Sequence, residues 1–259
     1  MMERHPLVSI VLPTYNGFRY IQESIKSCLE QTYPHLELII IDDGSTDNTV
    51  PIIQSFNDPR LKLISLDRNQ GHIAALNKGF ATAQGEYLTW TSDDNYYALD
   101  ALTKMLEELT VSKVDFVYSR YHVIDEAGNI KRQGRTEPPI YLDIDNCVGG
   151  CFLYRRMVYE TIGDFNSEAF LAEDYEYWLR VRARFKMKKI DRILYYYRDH
   201  PKSLTGVHKE KRVQEQVQKI RNRFLPFWKK FYFFTENQLR HLKRMFTPPL
   251  NLPPHGGGK

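Results

Sequence analysis

Long apolar segments are missing from this sequence of 259 residues. No window approaches the run of about 18 to 20 apolar residues that a helix needs to cross a bilayer. The N-terminus also lacks the build of a signal peptide, because its apolar run leads directly into the Pro-Thr-Tyr-Asn-Gly stretch at 13–17. These absences argue against a membrane-spanning or secreted protein, and we expect the chain in the cytoplasm.

Cysteine is scarce as well. Cys28, Cys147 and Cys151 have no zinc-type spacing, and three cysteines cannot all pair with one another. Free thiols in a reducing compartment are therefore expected. The hydrophobic content of 42% is typical of a globular chain, and the length allows one large domain or two small ones.

Two common nucleotide-binding motifs are absent. No glycine-rich dinucleotide fingerprint follows the first apolar run, and no phosphate-binding loop ends in Gly-Lys-Ser or Gly-Lys-Thr. A nucleotide bound by this chain therefore needs another means of neutralising its phosphates. A hard cation such as Mg²⁺ or Mn²⁺, held by one or two carboxylates and the phosphates themselves, supplies one.

The first hundred residues alternate between apolar runs and amphipathic segments. Between the apolar runs, apolar residues recur at the three- and four-residue spacing of a helix. A further helix after the last run is predicted from Leu99, Leu102, Met105, Leu106 and Leu109. This alternation predicts βαβ units and an α/β fold with a mainly parallel sheet flanked by helices. The predicted strands are 7–12, 36–41, 61–66 and 87–90.

The later part of the chain is less regular. Strands are predicted at 115–124, 130–132, 151–154 and 187–197, and a helix at 175–185. Polar clusters follow three of the earlier strands, at 14–16, 42–43 and 93–94. Ligands bind beyond the carboxyl ends of parallel strands, so three polar clusters at that edge predict a binding site there.

Several motifs together resemble the family 2 glycosyltransferases, which have the GT-A fold. They are VSIVLPTYNG at 8–17, LELIIIDDGSTDNT at 36–49, NQGHIAALNKGFATAQGEYL at 69–88, SDDN at 92–95, EDYEYWLR at 173–180 and YYYRDHPKS at 195–203. The resemblance covers roughly residues 7–205. It implies transfer of a sugar from a nucleotide diphosphate with inversion, dependence on Mn²⁺ or Mg²⁺, and a role in building cell-surface polysaccharides.

The resemblance assigns the nucleotide-sugar site. Tyr15 would stack on the base and Asp43 would accept its imide N–H, while Asn69 and Asn77 would face the ribose and diphosphate. From the residues alone, Tyr15 packed on its neighbours and Asp43 in a turn are the alternatives. The remaining residues assigned to the base pocket are Pro13, Thr14 and Asn16.

The metal site would use Asp93 and Asp94. We place Asp94 on the metal and Asp93 on the ribose or a metal-bound water, because adjacent residues leaving a strand point in different directions. His200 would lie near the metal or diphosphate, with an ordinary loop histidine as the alternative. Thr91 stands where the family commonly has another Asp. Arg198 would offset the diphosphate charge or be a surface cation.

The catalytic base implied by the resemblance is Asp174, near the start of a helix, with Glu173 orienting the acceptor. A helix N-terminus favours an ionised carboxylate, and an inverting transfer needs a base for the acceptor hydroxyl. Helix capping is the alternative for both. For Tyr177 and Trp178 we expect one to pack in the core and the other to stack on the acceptor.

The charge is unevenly distributed. Residues 207–246 carry eleven Lys or Arg against three Glu, whereas residues 1–206 are acidic. We predict a catalytic domain at 1–206, divided into a nucleotide-sugar half at 1–98 and an acceptor half at 99–206. A basic aromatic helical extension follows at 207–246, and a flexible tail at 247–259.

The extension has three interpretations. An aromatic stripe of Phe224, Phe227, Trp228, Phe231 and Phe234 favours a peripheral membrane contact at the inner face, or packing on the catalytic domain or on a second copy of the chain. Nucleic-acid binding is disfavoured by the acidic body.

Taken together, the sequence predicts a metal-dependent inverting glycosyltransferase. The donor would be a UDP- or dTDP-sugar and the acceptor a glycan or lipid-linked saccharide. A catalytically silent GT-A domain that serves as a binding or scaffold subunit is the alternative. A nucleotidyltransferase fits less well, because LPTYNG is a poor match to its glycine-rich loop.

Overall fold

The first half of the chain forms a parallel sheet of four strands. The structure is a computed structural model that describes residues 5–207 and 210–224. Its first strands are β1 (Val8–Thr14), β2 (Leu36–Asp42), β3 (Leu61–Ser65) and β4 (Tyr87–Trp90), in the spatial order β3-β2-β1-β4. All of β1 and nearly all of β2 are buried, because helices cover both faces of this part of the sheet.

Three helices connect these strands: α1 (Ile21–Leu29), α2 (Thr49–Gln54) and α3 (His72–Thr82). The buried face of α1 presents Ile21, Ile25 and Cys28, as the helical spacing predicts. Small residues let α3 approach the sheet closely, since a Cβ added at Gly79 would lie 2.3 Å from a methyl carbon of Val11.

The second half inserts an antiparallel strand into the sheet. Strand β8 (Phe152–Arg155) lies between β4 and β6 (Phe116–Ile124) and is antiparallel to both, while β9 (Met187–Arg198) runs parallel to β6. The short strands β5 (Tyr96–Tyr97) and β7 (Ile130–Gln133) pair with β9 and β6. The predicted α/β fold with a mainly parallel sheet is confirmed.

The helices of the second half are α4 (Ala101–Ser112), α5 (Arg156–Ile162), α6 (Glu173–Arg182) and α7 (Leu204–Val207), with 3-10 helices at Pro139–Asp143 and Ser167–Ala169. Helix α6 begins at Glu173, which places both predicted catalytic carboxylates in its first turn. One part of the prediction for α4 is wrong. Leu99 precedes this helix and is 62% exposed, because the buried face of α4 begins at Ala101.

Helix α8 (Glu210–Phe224) begins the basic extension. Residues up to Arg221 belong to one compact unit, and a second unit starts at Asn222. Within the first unit Ile220 is buried, Gln216 donates to the Glu168 carbonyl at 3.0 Å, and Arg221 donates to the Ile144 carbonyl at 2.7 Å. The start of the extension therefore packs on the acceptor half.

The rest of the predicted extension lies outside the described residues. This includes Phe227, Trp228, Phe231 and Phe234 of the aromatic stripe and the tail at 247–259. Across the described ranges, no helix combines the length and the apolar character that crossing a bilayer requires.

Candidate active site

The polar ends of β1, β2 and β4 meet at one edge of the sheet. Thr14 lies opposite Asp42 in the register of β1 and β2, and the Asp43 amide donates to the Thr14 carbonyl at 2.8 Å. The Thr91 amide, just after β4, donates to the Val11 carbonyl at 2.9 Å. The predicted convergence of the three polar clusters is therefore present.

The loop after β1 presents an exposed aromatic side chain. Tyr15 is 47% exposed, so its ring is available to a ligand, whereas Pro13 is buried within β1. Asn16 adopts a left-handed φ of 54°, and its side-chain oxygen accepts the Thr46 amide at 2.9 Å. Asn16 thereby ties this loop to the loop that follows β2.

Asp43 organises the N-terminus of α3. It is buried, and its two carboxylate oxygens accept the backbone amides of Gln70 at 2.7 Å and Gly71 at 2.8 Å. Asn69 also accepts the Gly71 amide, at 3.1 Å. A local turn is not the whole role of Asp43, since its carboxylate binds two backbone amides just before α3, 27 and 28 residues away.

Asn77 bridges two segments of backbone. Its side-chain nitrogen donates to the Phe165 carbonyl at 3.0 Å, and its oxygen accepts the Phe165 amide at 2.9 Å. The amide group that we predicted to face the ribose and diphosphate is thus engaged in joining α3 to the segment that leads to α6.

Asp93 lies against the loop after β1. The Thr14 hydroxyl donates to Asp93 Oδ2 at 2.5 Å. A Cβ at Gly17 would lie only 2.1 Å from the same oxygen, so glycine is required there. Burial, followed by the neighbouring charge of Asp94, raises the pKa of Asp93 to about 7. Two adjacent carboxylates here are costly to ionise together without a cation.

Asp94 has one oxygen engaged and one without a partner. Its Oδ2 lies 3.0 Å from His200 Nε2, while its buried Oδ1 finds no hydrogen-bond donor among the described residues. A buried carboxylate oxygen left unpaired is unfavourable, and a cation relieves the cost. The residues at this site therefore fit a divalent metal.

The protein supplies only part of such a metal site. Within residues 5–207 and 210–224, no three His, Cys, Asp or Glu side chains are grouped to hold a metal ion. The three residues predicted to hold the metal do not all meet. Asp93 hydrogen-bonds to Thr14, and only Asp94 contacts His200. Mg²⁺ and Mn²⁺ commonly complete such sites with water and substrate phosphate oxygens.

Thr91 is fully buried, and its hydroxyl lies 2.7 Å from the Tyr195 hydroxyl. The position where the family commonly has a further Asp is thus occupied by a side chain that joins β4 to β9. This contact explains how the chain accommodates threonine at this position.

Arg198 is a buried structural residue rather than a surface cation. Only 2% of it is exposed. Its backbone amide donates to the Asn95 side chain at 2.7 Å, and its Nε donates to the Asp94 carbonyl at 3.0 Å. The rest of the guanidinium contacts the carbonyls of residues 125–126 and the Glu23 carboxylate. Its donors are thus engaged in holding the loop that carries Asp94.

The ring of Tyr20 packs against both Arg198 and His200. The guanidinium carbon of Arg198 lies 4.4 Å from the centroid of the Tyr20 ring, and the imidazole of His200 lies 5.2 Å from the same ring. His200 is mostly buried, at 9% exposed. Its burial and its contact with Asp94 distinguish it from an ordinary loop histidine.

Asp174 is held at the start of α6 by two donors. Asn146 Nδ2 donates to its Oδ2 at 2.7 Å, and the Tyr175 amide donates to its Oδ1 at 2.6 Å. Burial and then the charge of Glu173 raise the pKa of Asp174 to about 6. It is therefore ionised at neutral pH but more basic than an ordinary Asp. Nothing local in the sequence pointed to Asn146.

Glu173 is more deeply buried, at 6% exposed. Its Oε1 lies 3.7 Å from His72 Nε2, and its Oε2 lacks a hydrogen-bond partner in the described part of the chain. Burial raises its pKa. Ala172 occupies the cap position of α6, and the backbone amides of residues 171–173 act on the Glu173 carboxylate, so this side chain interacts with the start of the helix.

His72, the first residue of α3, lies among these acidic groups. Its pKa is influenced by Asp174, Asp94 and Asp43, yet burial dominates and lowers it to about 4. The imidazole is therefore neutral at pH 7. Its ring lies edge-on to Trp90 with centroids 5.5 Å apart. We did not predict a role for His72, although it lies within the quoted motif at 69–88.

Tyr177 and Trp178 are both fully buried. Trp178 packs on Phe116 and Phe152 with ring centroids 4.9 and 4.6 Å apart, and Tyr177 stacks on Phe165 at 4.2 Å. The expectation that one of them stacks on an acceptor is wrong, because the core encloses both rings.

The GT-A nucleotide-sugar transferases share this architecture. It combines a parallel half-sheet with a polar edge, an added antiparallel strand and a helix that begins with acidic residues. The protein-family comparison agrees. Residues 9–163 match the model of glycosyl transferase family 2, and the chain belongs to that family.

Individual relatives show the same likeness. The putative teichuronic acid biosynthesis glycosyltransferase TuaG of Bacillus subtilis is 37% identical over 125 residues, which cover 48% of this chain and 50% of TuaG. The chain spans about half or less of the length of the curated relatives it matches first.

Two solved structures share the fold. S. aureus TarS 1–349 in complex with UDP-GlcNAc has a TM-score of 0.68 at 20% identity, covering 82% of this chain and 65% of the TarS chain. The mannosyltransferase PcManGT of Pyrobaculum calidifontis in complex with GDP-Man and Mn²⁺ has a TM-score of 0.60 at 21% identity, covering 78% and 59%.

Proposed function

We propose that this chain is an inverting, metal-dependent glycosyltransferase. It transfers a sugar from a UDP- or dTDP-sugar to a hydroxyl group of a glycan or lipid-linked acceptor during synthesis of a cell-surface polysaccharide. The observation that carries the proposal is a buried carboxylate oxygen without a hydrogen-bond partner among the described residues in each of two acidic pairs, Asp94 Oδ1 in the first and Glu173 Oε2 in the second. One pair suits a cation and the other suits a base.

The nucleotide would lie over the carboxyl ends of β1 and β2. The exposed ring of Tyr15 offers a stacking surface for the base. Asp43 holds the start of α3 and keeps this edge in shape, with lone pairs left for the imide N–H of uracil or thymine.

The diphosphate would lie at the Asp93–Asp94 pair. Asp94 would hold the divalent cation through its unpaired oxygen, Asp93 would support the ribose or a water, and His200 would orient Asp94. A bound Mn²⁺ or Mg²⁺ stabilises the negative charge of a departing diphosphate.

Asp174 would act as the base. Its raised pKa of about 6 leaves it ionised at neutral pH and able to take the proton of the acceptor hydroxyl. The acceptor oxygen forms a bond to the anomeric carbon as the bond to the diphosphate breaks on the opposite face, which inverts the configuration. Asn146 keeps the carboxylate in place.

The comparisons support the same function. The TarS structure contains UDP-GlcNAc, the PcManGT structure contains Mn²⁺, and TuaG is named for teichuronic acid biosynthesis. Each is a family or fold relative whose bound ligand or named pathway matches one part of the proposal.

Calorimetric titration of UDP and dTDP, with Mn²⁺ and with EDTA, tests the proposal together with hydrolysis of UDP- and dTDP-sugars. We expect Mn²⁺-dependent nucleotide binding and slow donor hydrolysis. Nucleotide binding without hydrolysis or transfer of any donor would favour the silent scaffold. Absence of nucleotide binding would contradict both.

A peripheral membrane contact through 207–246 is a separate proposal, supported by the basic charge of that segment. Vesicle flotation of the full chain and of a chain ending at Phe224 would test it. Equal flotation of the two would show that residues 225–259 do not make the membrane contact. The same two chains, compared by light scattering, would test the proposed homo-oligomer.

A further inference from the structure

The transferred sugar must lie between the diphosphate and the base. Under the proposed function, on which this inference rests, Asp94 marks the diphosphate end and Asp174 the acceptor end. His72 Nε2 lies 3.7 Å from the carboxylate of Glu173, the neighbour of Asp174, and its ring packs edge-on against Trp90, at the end of the strand that leads to Asp94. The side chain of His72 is 22% exposed, so a ligand can reach it. The first residue of α3 is therefore placed where the sugar ring must pass.

Two side chains that adjoin His72 each have a polar atom without a hydrogen bond among the described residues, although backbone amides of residues 171–173 act on the Glu173 carboxylate. Glu173 Oε2 and Trp90 Nε1 are both buried without a hydrogen-bond partner in residues 5–207 and 210–224. The first can only accept a hydrogen bond when ionised, and the second can only donate one. Buried groups of this kind are costly unless something satisfies them.

The three side chains adjoin one another. Glu173 Oε1 lies 3.7 Å from His72 Nε2, and the Trp90 and His72 rings meet edge to face with centroids 5.5 Å apart. They come from three separate elements, the start of α3, the end of β4 and the start of α6. Together they present a donor, an acceptor, a neutral imidazole and an apolar ring. A pyranose, with hydroxyl groups and an apolar C–H face, matches this combination.

The charge of this region favours an uncharged ring. Asp43, Asp94 and Asp174 all act on His72 electrostatically, and Glu173 lies beside it. The imidazole itself stays neutral at pH 7, because burial holds its pKa at about 4. The proposed cation would compensate Asp94 but not Glu173 and Asp174, so a further carboxylate on the sugar would meet like charges at that second pair.

We propose that His72, Trp90 and Glu173 form the subsite for the transferred sugar, and that this subsite selects an uncharged pyranose over a uronic acid. His72 and Glu173 would each bond a ring hydroxyl, and the Trp90 indole would line the subsite.

Calorimetry with Mn²⁺ tests the inference on the intact chain. The ligands are UDP, the UDP derivatives of glucose, galactose, N-acetylglucosamine and N-acetylgalactosamine, and those of glucuronic and galacturonic acid. We expect the best uncharged donor to bind at least tenfold more tightly than either uronate. Equal or tighter binding of a uronate would overturn the inference and leave the proposed function standing. No binding of UDP would overturn the proposed function.

Two variants locate the selectivity. Glu173→Gln removes one negative charge, so the preference over uronates should fall at least threefold while the affinity for UDP stays within twofold. His72→Asn should reduce the affinity for the uncharged donor at least fivefold with the same UDP affinity. His35→Ala, at an exposed histidine before β2, is the matched control and should change neither value. An unchanged preference in Glu173→Gln, or an unchanged donor affinity in His72→Asn, would remove that residue from the subsite.

Discussion

The molecule contains two pairs of adjacent carboxylates in its active-site region, Asp93–Asp94 after β4 and Glu173–Asp174 at the start of α6. In each pair one buried oxygen has no hydrogen-bond partner within the described residues, Asp94 Oδ1 in the first and Glu173 Oε2 in the second. Each pair also has a histidine beside it. Similar residue patterns thus occupy both ends of the proposed reaction centre.

The surroundings of the two pairs differ. Thr14, at the end of β1, bonds to Asp93, and two residues near the end of β9 bond to Asp94: His200 to its side chain and Arg198 to its backbone carbonyl. Asp174, in contrast, is held by Asn146 and a backbone amide, and a neutral imidazole lies beside Glu173. Both pairs are buried, so burial does not distinguish them. We propose that the first pair holds a cation through Asp94 and that Asp174 of the second pair accepts a proton. Adjacency of two carboxylates therefore does not define their role, whereas their partners do.

The largest effect is expected at the second pair. Asp174→Asn removes the proposed base, and transfer should fall roughly 10³-fold, within the range that general bases contribute. Mn²⁺-dependent UDP binding, measured by calorimetry, should stay within twofold of wild type, since the first pair is intact. Transfer at the wild-type rate would show that another group is the base.

The matching change at the first pair is Asp94→Asn. Loss of a metal ligand should lower transfer about 100-fold and raise the Mn²⁺ concentration for half-maximal activity at least tenfold. Unlike Asp174→Asn, it should also weaken UDP binding in Mn²⁺. Asp191→Asn, at an exposed carboxylate on β9, is the control. Unaltered Mn²⁺ dependence in Asp94→Asn would contradict the assignment of this pair to the cation.

The pH profile probes the raised pKa of the second pair. Asp174 must be ionised to accept a proton, so with a pKa of about 6 the transfer rate should fall tenfold per pH unit below pH 6. Asn146 donates to the ionised carboxylate and holds this pKa down. Asn146→Ala should therefore move the acid limb of the pH–rate profile to higher pH. The transfer rate should fall up to tenfold near pH 6 and change little at pH 8. Exposed Asn57 provides the control variant Asn57→Ala. A loss that is uniform across pH would indicate a structural role only.

The smallest effect is expected at Thr91, beside the first pair. Thr91→Val keeps the shape but removes the hydrogen bond to the buried Tyr195 hydroxyl, which should cost about 1 kcal/mol of unfolding free energy. The melting temperature should fall by about 2 to 4 °C for a chain of this size. Transfer kinetics at 25 °C should be unchanged. A loss of Mn²⁺ dependence would instead place Thr91 in the metal site.

Periodicity predicted the regular parts of the fold well. The bounds of β1, β2 and β4 agree with the apolar runs to within two residues, because buried parallel strands require continuous apolar segments. The two-residue strand β5 and the position of β8 between β4 and β6 were not predicted. Both depend on pairing between distant segments, which local patterns do not encode.

The site was predictable to a similar extent. Family motifs indicated both acidic pairs and His200, whose contact with Asp94 the structure shows. His72 and Asn146 escaped notice because their contacts join residues far apart in sequence, to Glu173 in one case and to Asp174 in the other. Arg198 was misjudged because sequence alone does not distinguish a surface cation from a buried one.

The hydrogen bonds of Arg198 limit how segments of this protein can be exchanged with those of a relative. One guanidinium group joins the Asp94 loop to residues 125–126 and to Glu23 on α1. Replacing 195–203 with the corresponding segment of a relative would therefore disturb the contacts of Arg198 with the Asp94 loop, with residues 125–126 and with Glu23. Chimaeras designed to change donor or acceptor choice should exchange all of these segments together, or leave them all in place.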